Sequence, residues 1–180
     1  MAGPNICSDL KGIQRLPDCV VFAGRNMLTR GISTDINVDQ EPRVLFLSIR
    51  NSVRGQMAEG FLRSSAGDRF VATSGGIESA SETHPMAADV MAEEGIDITK
   101  QRPKNVVEWF REHFAYVITL ADMAKERSPV FPFTPHLLHW SLEDPSLVEG
   151  SQEEKKRVFR YVRDEIKASV RQFVEETDNQ

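Results

Sequence analysis

The chain has 180 residues, with 22 basic and 27 acidic side chains, a net charge of −5 and 40% hydrophobic content, enough for the core of one domain with a modest extension. Its charges are mixed in sign and form no basic block, which argues against nucleic acid as a partner; no apolar run approaches the roughly 18 residues of a membrane span and no signal pattern opens the chain, so a cytoplasmic protein without membrane contact is expected. Cys7 and Cys19 are the only cysteines, too few for a disulfide framework or a four-ligand zinc site, and no histidine pair has metal-ligand spacing, so neither metal nor cofactor is expected.

Residues 1–40 fit no repeating pattern. They contain a short helical stretch around Leu10 and Ile13, a strand-like run at Cys19, Val20, Val21 and Phe22, and a polar link that follows. They read as an N-terminal extension that packs on a domain of residues 41–180 or on a second copy, giving a homodimer. Cys7 and Cys19 read as small buried thiols.

From residue 43 onward, β-rich runs alternate with helical patterns, as in a parallel sheet wrapped by helices. Val44, Leu45, Phe46 and Leu47 form a continuous apolar run, the mark of a strand covered on both faces. A polar loop follows, and then a helix with Met57, Ala58, Phe61 and Leu62 on one face, ending near Gly67. A second strand is expected over residues 70–73, closed by Ser74, Gly75 and Gly76. Thr83, His84 and Pro85 start another helix, with Met86 and Met91 as packing residues and Gly95 as its stop. Asn105 and Glu108 have capping-box spacing and predict a helix through Trp109 and Phe110, both read as core.

Strands are then expected over residues 116–120 and 137–140. Phe159, Val162, Ile166, Val170 and Phe173 form the apolar stripe of a long C-terminal helix, whose Glu153, Glu154, Lys155 and Lys156 read as a solvated face. His139 and Trp140 read as packing and supporting residues, His113 and His136 as surface or turn residues.

A polar loop between a buried strand and a helix N-terminus is suited to an oxyanion, because unpaired amides and the helix dipole converge there. Arg54 adds a planar fork of donors matched to phosphate. This alone is weakly specific, since many α/β folds have polar strand ends.

The stretch from Val44 through Ser48, Arg54, Gln56, Met57, Ala58, Glu59 and Gly60 to Phe61 resembles the signature of the low-molecular-weight tyrosine phosphatase and thioredoxin-coupled arsenate reductase superfamily. That signature is a strand, Cys-x5-Arg, and a helix reading Ser-x-Met-Ala-Glu-Gly. The resemblance runs on through Ser74, Gly75 and Gly76, through Gly95, Ile96 and Asp97, and through Tyr116 to Thr119. Pro129 to Pro132, His139 and Trp140, Glu143 to Pro145, and Val158 to Ile166 continue it, so that it covers residues 43–174. It implies a three-layer α/β sandwich with a four-stranded parallel sheet and flavodoxin-like topology.

The departures from that pattern carry the functional expectation. Ser48 stands at the family's nucleophilic cysteine, and Ala121 and Ser128 at the two further redox cysteines of arsenate reductases. Val53 replaces another frequent cysteine, Gly55 the usual serine, and Arg50 a common glycine whose absence can reshape the cradle. Asp144 occupies the position of the general acid.

A serine hydroxyl needs an adjacent base to match a thiolate, and the loop contains none; His84, Glu59 and Asp144 are the groups that could approach it. Arsenate reduction ends in a disulfide, which Ser48, Ala121 and Ser128 cannot form. The resemblance therefore implies a catalytically inactive or impaired relative, by natural loss rather than engineering. It would bind phosphate, arsenate or a phosphorylated ligand through Ile49, Arg50, Asn51, Ser52, Val53 and Arg54, with Asn51 organising the loop internally and Ser48 and Ser52 either donating to the anion or capping local backbone. Two alternatives remain at this point: an active phosphatase using Ser48 or a water as nucleophile, and a non-catalytic dimeric regulatory module.

Overall fold

Strand β1, Arg43–Ser48, is buried from its second residue to its last, and its position in the sheet explains its composition. In the computed structural model, which describes residues 41–122 and 134–179, β1 pairs on one side with β2, Val71–Gly76. On its other side it pairs with β3, Tyr116–Thr119, which in turn carries β4, His136–His139. All pairings are parallel, and the order is β2-β1-β3-β4. This is the expected four-stranded α/β sheet with a flavodoxin-like arrangement. The readings made on residues 1–40, including Cys7 and Cys19, and on Ser128 lie outside the described residues.

Successive side chains of β1 point to opposite faces, so a strand with two covered faces has no polar alternation to show. Val44 and Phe46 enter a large core with Met57, Ala58, Phe61 and Leu62 of helix α1, Arg54–Ala66. Helix α2, Pro85–Ala92, adds Ala87, Val90 and Met91. The long helix α3, Gln152–Asp178, adds all five residues of its predicted stripe. Leu45 and Leu47 face the other way, into a smaller cluster with Val106, Phe114 and Val117.

Several element boundaries differ from the sequence-based expectation. Strand β2 does not stop at residue 73; it runs through Gly75 and Gly76, because Gly76 pairs opposite Ser48 and donates its amide to the Lys104 carbonyl at 2.8 Å. The capping box at Asn105 and Glu108 is formed, but it opens only a 3-10 helix over Val106–Trp109. Phe110 is 43% exposed rather than core, while Trp109 lies partly buried against the smaller cluster.

Strand β4 starts at His136, which is exposed yet sits in a strand with its ring stacked 4.8 Å from Tyr116. His139 belongs to neither core cluster and bonds Thr119 and Asp122. The acidic and basic run at the start of α3 is not simply a solvated face: Glu154 completes a capping box with Ser151, and Lys156 reaches Glu93 at 3.2 Å. Among the described residues no helix is long and apolar enough to cross a membrane.

Candidate anion-binding site

Residues 48–54 connect the carboxyl end of β1 to the N-terminus of α1, and the segment after β2 fixes how they turn. The carbonyls of Ser48, Ile49, Arg50 and Ser52 accept hydrogen bonds from the amides of Ile77, Glu78, Ala80 and His84, at 3.1, 2.9, 2.8 and 2.9 Å. Four carbonyls are thus drawn to one side of the loop. Among the described residues, the amides of Ile49, Arg50, Ser52, Val53 and Arg54 find no acceptor, while that of Asn51 donates to Ser48 Oγ at 3.1 Å. A run of outward carbonyls with unspent amides is the backbone condition for an anion nest, reinforced by the positive end of α1.

The loop closes on itself through Asn51, which is buried and holds a left-handed φ of 52°, a conformation asparagine tolerates better than most residues. Neither polar atom of its side chain has a partner. Two glycines make room for it: a Cβ on Gly55 would fall 2.2 Å from Asn51 Oδ1, and one on Gly76 would fall 3.0 Å from both Asn51 Cβ and the Ile49 carbonyl. Gly76 therefore stays glycine because the loop crosses directly over it. Val53, at the start of α1, offers no capping side chain. Arg50 is exposed.

Arg54 is only 6% exposed. Its Nη1 donates to the Leu142 carbonyl and its Nη2 to Asp144 Oδ2, both at 2.7 Å. Burial pushes this guanidinium below its ordinary pKa while Asp144 pulls the other way; guanidinium stays charged throughout the useful pH range. Among the described residues three of its five N–H donors remain free. The site also brings together what the sequence separates: Asp144 caps the 3-10 helix Pro145–Leu147, its Oδ1 accepting from the Ser146 amide and hydroxyl. Ala121 lies two residues past the end of β3 and is partly buried.

The groups that could serve Ser48 as a base are all engaged elsewhere. Glu59, 1% exposed, accepts from Ser74 Oγ at 2.5 Å through one oxygen and from Arg63 through the other, with Lys104 at 3.7 Å. Both oxygens of Asp144 are occupied as described. His84 caps α2, its Nδ1 accepting from the Met86 amide at 3.2 Å. This capping role and the Leu142 carbonyl bond were not legible in the motif; the His-Pro step at residue 84 marked the helix start without indicating which ring nitrogen would be used.

The chain resembles known arsenate reductases in sequence and in fold. Arsenate reductase from Halalkalibacterium halodurans is 39% identical over 132 residues, covering 73% of this chain and 94% of that protein. The Bacillus subtilis arsenate reductase is 37% identical over 134 residues with the same coverage. Among solved structures, an arsenate reductase in the phosphate binding state superposes with a TM-score of 0.66 at 32% identity, covering 75% of this chain and 98% of that one. A low molecular weight protein tyrosine phosphatase from T. tengcongensis shares the fold, with a TM-score of 0.64. The family model for low molecular weight phosphotyrosine protein phosphatase matches residues 43–180, the span that contains the loop, its arginine and the whole sheet, and the chain belongs to that family.

Proposed function

We propose that the protein binds an oxyanion at residues 48–54, either free phosphate or arsenate or the phosphoryl group of a larger ligand, and turns it over poorly or not at all. The observation that carries this reading is the commitment of every nearby base to another partner. Ser48 Oγ accepts from Asn51, Glu59 and Asp144 each accept hydrogen bonds at both oxygens, and His84 Nδ1 accepts from the Met86 amide. A serine hydroxyl left without a base stays protonated at neutral pH and is a weak nucleophile. The amides of the loop and the free donors of Arg54 still supply what a phosphoryl group needs for binding.

The likeness to an arsenate reductase described in its phosphate binding state supports the anion. The absence of cysteine beyond position 19 supports the loss of thiol chemistry, since a disulfide relay needs sulfurs at positions held here by Ser48, Ala121 and Ser128.

Calorimetric titration with phosphate tests the binding arm. The native protein is expected to bind, and Arg54→Ala to lose at least about tenfold in affinity, since charge-assisted bonds are worth about 1.5–3 kcal/mol; absence of binding in the native protein would remove the proposal. The catalytic arm is tested by aryl phosphate hydrolysis in Ser48→Cys beside the native chain, with activity expected only in the variant. Turnover by the native chain that vanishes in Ser48→Ala would reverse this reading.

A further inference from the structure

We propose that His84 forms the outer edge of the anion site and that its Nε2–H donates a hydrogen bond to an oxygen of the bound phosphate or arsenate. The inference rests on the reading of residues 48–54 as an anion cradle, and it assigns to that cradle a specificity-determining donor outside the loop.

The tautomer follows from the cap. His84 Nδ1 accepts from the Met86 amide at 3.2 Å, so its lone pair is used there and the proton of the neutral ring sits on Nε2. Adding a second proton would point an N–H at an N–H and place a cation on the positive end of α2. Burial and Lys155 both oppose the charged ring, with only Asp144 favouring it, and the pKa lies below the ordinary histidine value. At neutral pH the ring is thus a neutral donor through Nε2.

Its position is fixed from two sides. The His84 amide donates to the Ser52 carbonyl at 2.9 Å, which ties its backbone to the loop. The ring packs at 4.9 Å and 37° on Phe159, a side chain buried in the core. The carboxylate that the ring senses is bonded to other groups: Asp144 Oδ2 accepts from Arg54, and Oδ1 from the Ser146 amide and hydroxyl at 3.0 and 2.6 Å. Among the described residues Nε2–H has no acceptor. A donor without a protein acceptor, on a residue whose backbone is bonded to the loop and whose ring senses the carboxylate bonded to Arg54, matches a ligand made of acceptors.

This donor also sets a preference. A neutral Nε2–H donates more strongly to an anionic oxygen than to a hydroxyl oxygen, so it adds most to a ligand that presents an unprotonated oxygen to it.

The test uses the full-length protein and inorganic phosphate. His84→Ser keeps a good capping acceptor and removes the ring donor. It is expected to fold and to weaken phosphate binding by about tenfold, the usual worth of one hydrogen bond to a charged group. In the native protein with 15N-labelled histidine, saturating phosphate is expected to shift the His84 Nε2 resonance and protect its proton from exchange, a readout that a purely structural cap would not move. Native affinity in His84→Ser, or an Nε2 resonance that ignores saturating phosphate, overturns the assignment to His84 while leaving the cradle intact. Absence of phosphate binding in the native protein, with Arg54→Ala no different, overturns both.

Discussion

Asp144 has two relationships to an anion bound on the loop, and they oppose one another. Its carboxylate orients Arg54 at 2.7 Å, yet its negative charge beside the guanidinium opposes a second anion there. Asp144→Asn removes the charge but leaves a single acceptor oxygen, so it keeps either the bond from Arg54 or the cap on the 3-10 helix at Pro145–Leu147. Removing the competing charge is expected to tighten phosphate binding by about tenfold, or about 1.4 kcal/mol, with a lower thermal stability from the lost acceptor; calorimetry on both proteins measures it. Weaker binding in the variant would mean that orientation outweighs repulsion.

Ser48 and Arg54 could be singled out in the sequence because they lie six positions apart in one motif, a spacing set by the loop itself. The Arg54–Asp144 contact joins residues 90 positions apart, and only the sheet order brings their elements together. Gly55 was legible as a departure from a usual serine, but its consequence was not. A Cβ there would fall on Asn51 Oδ1, a collision that exists only after the loop has closed.

At the scale of elements, α2 and α3 are held together at their exposed edge by one acidic corner. Glu93, at the end of α2, accepts bidentately from Arg160 Nε and Nη2, both at 2.8 Å, and also meets Lys156 and Arg163. Arg163, on the otherwise apolar stripe of α3, also donates to the Val90 carbonyl at 3.0 Å. The hydrogen bond from Arg160 is the largest cause holding the Glu93 pKa at about 2, against an unfolded value of 4.5.

A folded pKa below the unfolded one means that the unfolded chain takes up the proton first. The contribution of Glu93 is therefore complete above pH 4.5 and is lost as pH falls towards about 2. Denaturant titrations between pH 6 and pH 2 are expected to show stability falling through this window, and Glu93→Gln to flatten part of that slope. An identical slope in the variant would place the acid sensitivity elsewhere.

Helix α3 was legible because five apolar residues recur at helical spacing, whereas Arg163 was not, since a charged residue in the stripe signals nothing about the carbonyl and carboxylate waiting on α2. Strand β2 was shortened in the sequence reading for a similar reason. Two glycines read as a turn, and here they remain in a strand because the loop of residues 48–54 crosses directly above Gly76.

For the whole molecule, the question is how much of the chain the fold requires. Every strand of the sheet pairs with another strand from residues 43–139. Both apolar clusters are assembled from side chains between Val44 and Val174. The family model begins at residue 43, and 73% of this chain accounts for 94% of the Halalkalibacterium halodurans enzyme's length. Among the described residues, the elements that make the core and the elements that hold the loop therefore coincide. A fragment of residues 41–180 is expected to unfold in one cooperative step and to bind phosphate within about twofold of the full chain, a difference of about 0.4 kcal/mol. Parallel denaturation, calorimetry and solution mass measurements on the two chains decide the matter. If the fragment binds equally well but loses a dimeric mass, the extension serves assembly alone. If it loses phosphate affinity while still unfolding cooperatively, the extension reaches the anion site, and the cradle built from β1, α1 and the turn at Asp144 is incomplete without it.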